Sequence, residues 1–223
     1  MGKTRADGAD TKRRLLDAAG ALFAARGFRD TTTADICRSA GANAAAVNYH
    51  FRSKADLYAA AWRHEFERSM AEYPPDGGAP EGASAEERLR GHIRSLVKRF
   101  MDPASRDLEI SHREMSDPTG LLAEVKKRMI EPLRLRHLAI VRKLLGPGAA
   151  AQEVRLCAMS THAQCVMALM NERRRRLAAR ARRGACPPDL NIGWAAMAEH
   201  IARFSLAGIR AVRKNSLKRR RRK

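Results

Sequence analysis

The chain has 223 residues, 44% of them apolar but only 5% aromatic, which allows one helical body of about 150 residues plus a small extra module and disfavours a sheet. No apolar run approaches the roughly 18 uncharged residues of a membrane span and no apolar signal core opens the chain, so a cytoplasmic protein is expected, without membrane attachment. A formal net charge of +20 points to a polyanionic partner, with DNA the first candidate.

In chain order, Leu15, Ala18, Ala19, Leu22 and Phe23 fall at helical spacing between Asp10 and Arg26, and Gly27 closes that helix. Thr31, Thr32 and Thr33 offer hydroxyl caps for a short second helix that ends at Gly41. One residue later Asn43 is placed to cap Ala44–Phe51, so two short helices meet across a glycine turn. Ser53 then caps a longer helix running from Lys54, with Trp62 and Phe66 one turn apart. The Pro/Gly-rich stretch 73–82 reads as a loop. Beyond it helices are predicted at 85–101, 105–115, 118–145 with a break or kink at Pro132, 151–176 and 189–213. The fold expected is all-α: a three-helix head over 9–70 and a larger helical domain over 85–213. A basic and disordered tail is expected over 214–223.

Two short helices across a glycine turn form a helix-turn-helix, in which the second helix enters the major groove. The residues of 43–51 suit that role. Ala44, Ala45 and Ala46 strip one face of bulk, so the backbone can approach the groove and methyls can meet thymine methyls. Val47 and Phe51 are spaced to pack inward. Asn48 can pair with an adenine edge, Tyr49 and His50 can reach phosphates or bases, and Lys54 sits where its ammonium joins free helix N–H groups around a phosphate.

Ile36–Asn43, then Val47-Asn48-Tyr49-His50-Phe51-Arg52-Ser53-Lys54-Ala55-Asp56-Leu57, resemble the head motif of the tetracycline-repressor (TetR) family, which ends in aromatic-x-SK-x-x-L. The preceding Leu15–Ala19, Leu22–Phe28 and Thr31–Thr33 resemble that family's first helix and the entry to its second. The resemblance implies that Thr32 and Thr33 touch phosphates, that Ala44, Ala45, Ala46 and Asn48 face bases, and that Tyr49, His50 and Lys54 clamp the backbone. Asn48 stands where family members often carry tyrosine, and the reading helix opens on three alanines. Base readout then leans on Asn48, on an N-terminal arm with Lys3 and Arg5, and on DNA shape.

The larger domain of the family dimerises through its last two helices and holds a small ligand among the others. Here Trp194, Met197, Ile201, Phe204 and Gly208 follow a 3-4-3-4 spacing, and 151–170 is apolar or small on most sides, with Thr161 and Cys165 among its candidates for a dimer interface. The stripe also suits an intrachain core. Phe100–Pro103, Arg113–Pro118, Gln164-Cys165 and His200–Gly208 are similar to the CecR-like branch of the family. Polar groups set in apolar helices, His112, Arg113 and Glu114 on one segment and His162 and Gln164 on another, are effector-site candidates, with Met115 and Met167 as lining.

The expectation is therefore a sequence-specific regulator, a ligand-responsive repressor that binds a palindromic double-stranded operator as a homodimer, with an unidentified small-molecule effector. An enzyme is disfavoured, since there is no Gly-rich phosphate loop, nucleophile motif or metal-ligand spacing. No cofactor and no metal is expected: Cys37, Cys157, Cys165 and Cys186 form no CxxC pair and read as reduced thiols. The alternative is a sequence-indifferent nucleic-acid binder gripping through the C-terminus, because residues 171–223 hold 17 Lys and Arg against 3 Asp and Glu, with Arg173–Arg176 and the closing Lys218–Lys223 prominent.

Overall fold

The computed structural model describes the backbone of residues 3–180 and 192–221 and the side chains of 8–176 and 192–218. Within these residues every regular element is an α-helix. In chain order they are α1 (Lys3–Arg26), α2 (Thr33–Ala40), α3 (Ala44–Phe51), α4 (Lys54–Glu72), α5 (Ala85–Met101), α6 (Arg106–Ser116), α7 (Ala123–Leu145), α8 (Ala151–Arg180) and α9 (Trp194–Arg221). None of them is long and apolar enough to cross a membrane.

The boundaries follow local chemistry. α5 opens with a capping box in which Ser84 accepts from the Glu87 amide while the Glu87 carboxylate accepts from the Ser84 amide. α7 begins later than the pattern from 118 suggests. The Glu114 carboxylate accepts from the amides of Thr119 and Gly120, both at 2.9 Å, and Gly120 adopts φ 75°, which holds the chain in a turn before the helix. α9 continues through residues 214–221, where the sequence suggests a disordered tail. Ser216 donates to Glu153 Oε1 at 2.6 Å and so fastens this turn to α8. Cys186, Arg182, Arg183 and the side chains of Lys3, Arg5, Arg180 and Arg219–Lys223 lie outside the described residues.

The chain packs as two compact units. The first comprises residues up to Glu72 together with Pro103–Glu131; the second comprises Tyr73–Asp102 and Pro132 onward. The sequence pattern ends the head near residue 70, whereas the packing adds α6 and the first turns of α7 to it.

In the first unit Leu15, Ala19, Phe23, Ile36, Val47, Leu57, Tyr58 and Trp62 are almost wholly buried, each large apolar side chain contributing about 1.5–3 kcal/mol. Phe23 meets Tyr58 edge-on at 4.8 Å and Trp62 stacks on Phe66 at 5.0 Å. α6 is fastened to α4 and α1 by polar side chains. Trp62 Nε1 donates to Ser111 Oγ at 2.9 Å, Tyr58 OH donates to Glu114 at 3.1 Å, and the Arg113 guanidinium donates to the carbonyls of Ala24 and Ala25 at the end of α1. Burial and the neighbouring Glu114 carboxylate both raise the Tyr58 pKa, so its hydroxyl stays a donor. Glu65, fully buried, pairs with Arg106 at 3.2 Å and with Arg68. Gly20 lets α1 and α4 close over that carboxylate, since a Cβ there would stand 2.3 Å from Glu65 Oε1.

In the second unit α5 packs on α8 and α9, and α8 packs on α9. Leu89, Ile93 and Val97 of α5, Val154, Ala158 and Cys165 of α8, and Ile201, Ala202, Leu206 and Ile209 of α9 form the core. At the far end of α8 the buried Glu172 carboxylate accepts from Arg175 and Arg176, each at 2.8 Å, and Arg176 also donates to the Met101 carbonyl at 2.7 Å.

Candidate functional site

The head's outward helix is built by two caps and one glycine. Thr32 caps α2: its hydroxyl accepts from the Asp35 amide at 3.1 Å and donates to Asp35 Oδ2 at 2.7 Å. The Thr32 hydroxyl holds the Asp35 carboxylate below the usual range, aided by Arg38. Gly41 then takes φ 59°, a left-handed conformation favoured by glycine, and its amide closes on the carbonyls of Arg38 and Cys37. Arg14 of α1 donates to the Ala40 carbonyl at 3.0 Å and steadies the turn.

α3 follows. Asn43 Oδ1 accepts from the Ala46 amide at 2.9 Å, so this side chain serves as the cap. Val47 and Phe51 are buried at 1% and 5% exposure and anchor the helix to the head, as their spacing predicts. The opposite face is open: Ala44, Ala45 and Asn48 are exposed, Ala46 and His50 are half-buried, and Tyr49 stands 84% exposed. Tyr49 and His50 meet edge-on at 4.9 Å and form one aromatic shoulder. Together with Gly8 and Thr11 of α1, residues Ala45, Ala46, Tyr49 and His50 line an open cleft of 480 Å³.

The exit from α3 is strained. Arg52 adopts φ 61°, the one non-glycine residue with positive φ among those described. Its amide still reaches the Asn48 carbonyl at 3.2 Å, and the turn sets Ser53 to cap α4 through the Asp56 amide at 3.0 Å. Lys54 is thereby at the first turn of α4, its Nζ 4.3 Å from the Phe28 ring centroid.

Thus Ala44, Ala45, Ala46, Asn48, Tyr49 and His50 share one side of the head. Thr32 spends its hydroxyl and Asn43 its Oδ1 on caps, Thr33 is half-buried in the first turn of α2, and Lys54 rests against an aromatic ring. α1 already begins at Lys3, so the arm of Lys3 and Arg5 has a helical backbone, while their side chains are outside the described residues. Gly8 and Thr11 beside α3 escape the sequence reading, because only packing brings α1 alongside α3.

The effector candidates divide between the two units. His112, Arg113, Glu114 and Met115 belong to the first unit, and His162, Gln164 and Met167 to the second. Arg113 and Glu114 hold backbone groups together as described above, Met115 is 66% exposed, and His112 is half-buried. Gln164 Nε2 donates to Ser205 Oγ at 3.2 Å and ties α8 to α9; Met167 and His162 are exposed. Two histidines absent from the sequence candidates lie deeper. His92 and His137 stack at 4.4 Å, each under 10% exposed, and burial lowers both pKa values, that of His137 to about 3, so both stay neutral.

The dimer candidates also divide. Thr161, Cys165 and Ile201 are 2%, 0% and 2% exposed and face this chain's own core, where burial pushes the Cys165 thiol up to about 12. Met197 is half-buried. Trp194, Phe204 and Gly208 are exposed, and so are Leu156 and Met159 on α8. An α8 face at positions 156, 159, 163 and 167 and an α9 face at 200, 204 and 208 thus remain outside.

Residues 15–61 match the model described as bacterial regulatory proteins, tetR family, and residues 85–209 match that of the C-terminal domain of the HTH-type transcriptional dual regulator CecR. The CecR regulator of Shigella flexneri is 30% identical over 172 residues, 70% of this chain and 73% of that protein. The AcrR regulator of the same organism is 33% identical over 60 residues, covering 27% of this chain and 28% of its own length. Among solved structures, a TetR-like regulator from Rhodococcus sp. RHA1 superposes with TM-score 0.63 at 19% identity, over 89% of this chain and 95% of that one. The fatty acid degradation regulator FadR from Bacillus halodurans gives TM-score 0.64 at 14% identity, over 90% and 96%. These two likenesses speak to the fold.

Proposed function

The chain belongs to the TetR family of DNA-binding transcription regulators, and on that premise we propose that it is a ligand-responsive repressor that binds a palindromic operator as a homodimer. The observation that carries the reading is the open side of α3, where Ala44, Ala45, Asn48 and Tyr49 are exposed and Ala46 and His50 half-buried, while Val47 and Phe51 hold the helix from behind. A helix presented in this way fits the major groove: methyl and amide groups meet base edges, and the aromatic shoulder and Lys54 meet phosphates. Residues 9–70 are the DNA-reading domain in this reading, and 85–213 the effector and dimerisation domain, acting in the cytoplasm where the operator is. No catalytic role is assigned.

A palindrome requires two heads, and the outward α8 and α9 faces supply a reason for a second copy. Leu156, Met159 and Phe204 are 49%, 61% and 64% exposed, and Gly208 between them permits close helix approach. Trp194 lies off that face, its ring 5.6 Å from Lys98 Nζ of α5.

Selection of bound fragments from the source genome yields the operator, and Asn48→Ala is then measured on operator and on random DNA. The expected outcome is a loss of about 1–3 kcal/mol on the operator with little change on random DNA. An equal loss on both removes the assignment of base reading to Asn48. Sedimentation of the free protein as a monomer at micromolar concentration removes the dimer.

A second reading has one observation of its own. Arg210, Arg213, Lys214 and Lys218 line a 350 Å³ cleft on the last turns of α9, a helical basic surface suited to sequence-indifferent contact with a polyanion. Truncation after residue 213 separates the two: it lowers affinity for both DNAs and flattens the salt dependence, leaving the operator preference in place.

A further inference from the structure

Where the start of α9 passes α5, inside the second unit, a cleft of 270 Å³ opens between the two helices. Arg90 and Arg94 line it from α5, and Trp194, Ala198, Glu199 and Ala202 from α9. Arg90 Nη1 donates to Glu199 Oε1 at 2.8 Å, which braces the helices and engages the one carboxylate of the lining. Arg94, one turn further along α5, is uncommitted: its exposed guanidinium makes no hydrogen bond or ion pair with any described residue. A turn beyond it, Lys98 Nζ stands 5.5 Å from the Tyr73 ring centroid and 5.6 Å from that of Trp194, so the indole already neighbours a cation.

These groups define what the cleft can hold. An uncommitted guanidinium is a planar fork for a carboxylate, and an indole beside the buried methyls of Ala198 and Ala202 is a platform for a flat apolar body. The volume falls just below the range of about 300–1,000 Å³ usual for drug-sized ligands, so the occupant has about a dozen non-hydrogen atoms. The other two clefts lack this combination: the one beside α3 has no lysine or arginine in its lining, and the one on the last turns of α9 has no aromatic ring. At about 100° per residue, positions 198, 199 and 202 lie on the opposite side of α9 from 200, 204 and 208, so a second copy on the latter face leaves the cleft open.

We propose that this cleft binds a small aromatic carboxylate, with the carboxylate on the Arg94 guanidinium and the ring along Trp194. Both side chains already line the cleft, so binding calls for no rearrangement of the helices. Arg90 is a positioning residue: by pairing with Glu199 it offsets the one negative charge that would oppose the ligand. A bound carboxylate bridges α5 and α9, and α9 carries on its other side part of the face assigned above to a second copy, which makes this ligand the effector. The effector role rests on the proposed function, whereas binding itself does not.

The test titrates the full-length protein with benzoate and 2-naphthoate by isothermal calorimetry at physiological salt, which screens unspecific attraction to a basic chain. Uncharged 2-naphthamide and ringless inorganic phosphate are the comparison compounds. One 2-naphthoate per chain is expected to bind saturably below about 1 mM, with both comparison compounds at least about tenfold weaker. Arg94→Gln and Trp194→Leu each lower the affinity by at least about tenfold, and Arg94→Lys, which keeps the charge but not the fork, restores only part of it. Arg142→Gln, exposed on α7 of the same unit, leaves it unchanged. Arg94 and Trp194 are both exposed, and an unaltered Tm checks that the variants fold; if Trp194→Leu does not, Arg94→Gln decides. Phosphate binding as tightly as 2-naphthoate, an affinity that survives either substitution, or no saturable binding of either carboxylate overturns the proposal. Operator affinity with and without saturating 2-naphthoate separates the claims: an unmoved operator affinity removes the effector role and leaves the site, and a protein that takes the ligand but prefers no operator overturns only the regulatory reading.

Discussion

The two units of this protein are held together by different means. In the first, polar side chains do much of the fastening: Trp62, Tyr58, Arg113 and the Glu65–Arg106 pair fix α6 to α4 and α1 through directed hydrogen bonds over a core of Leu15, Phe23 and Leu57. In the second, long helices meet through small and aliphatic side chains such as Ala158, Cys165, Ala202 and Ile209, and the directed contacts between helices, such as Arg90–Glu199, Arg210–Glu86, Ser216–Glu153 and Gln164–Ser205, stand around that apolar core. A DNA-reading helix must be presented in one orientation, and directed bonds specify orientation. Apolar helix faces specify adhesion more than registry, so a bundle of that kind can shift when something binds.

The contrast can be broken most strongly at Trp62. Trp62→Ala removes the largest buried side chain of the first unit and its bond to Ser111, and a loss of about 3–5 kcal/mol is expected in urea unfolding. An effect near that of a surface substitution would mean that the directed fastening matters little.

A middle-sized effect is expected at Glu172. The Arg175 hydrogen bond, helped by Arg176 and opposed by burial, holds its pKa below the ordinary 4.5. The folded state therefore binds the proton less readily than the unfolded one. The contribution is complete above the ordinary value and is lost as pH falls through the lowered one. Unfolding of wild type and Glu172→Gln compared at pH 7 and pH 3.5 should show a gap of about 1–2 kcal/mol at neutral pH that narrows on acidification. A gap independent of pH would assign Glu172 a packing role only.

The smallest effect sharpens the comparison inside the head. Asn43→Ala removes the cap on the Ala46 amide and should cost about 1 kcal/mol, read as a lower Tm, with operator affinity falling through helix fraying rather than lost base contact. A loss of specificity without loss of stability would instead place Asn43 on a base.

Much of the head was legible in the sequence because its signals are local. Gly41, Asn43 and the Val47–Phe51 spacing act within a few residues of themselves, and the structure uses each as the pattern implies. Thr32 was legible as a cap, but the partner that occupies its hydroxyl, Asp35, emerges only from the folded geometry. The effector and dimer candidates were harder. Periodicity marks Thr161, Cys165 and Ile201 as one side of a helix without saying whether this chain or another covers it, and here α8, α9 and α5 cover it from within. His92 and His137, 45 positions apart and on separate helices, have no spacing that sequence could register.

The sequence by itself determined an all-helical chain, the cap-turn-cap grammar around residues 32–54, and the uneven charge, because propensity, capping and composition act over a few residues. Only the tertiary structure decided that α6 and the first turns of α7 pack with the head, which small-residue faces are spent inside the chain, and which histidines meet. Those outcomes depend on helices far apart in sequence finding one another, and the free energy that selects among such pairings comes from burial and directed bonds that exist only after they have packed.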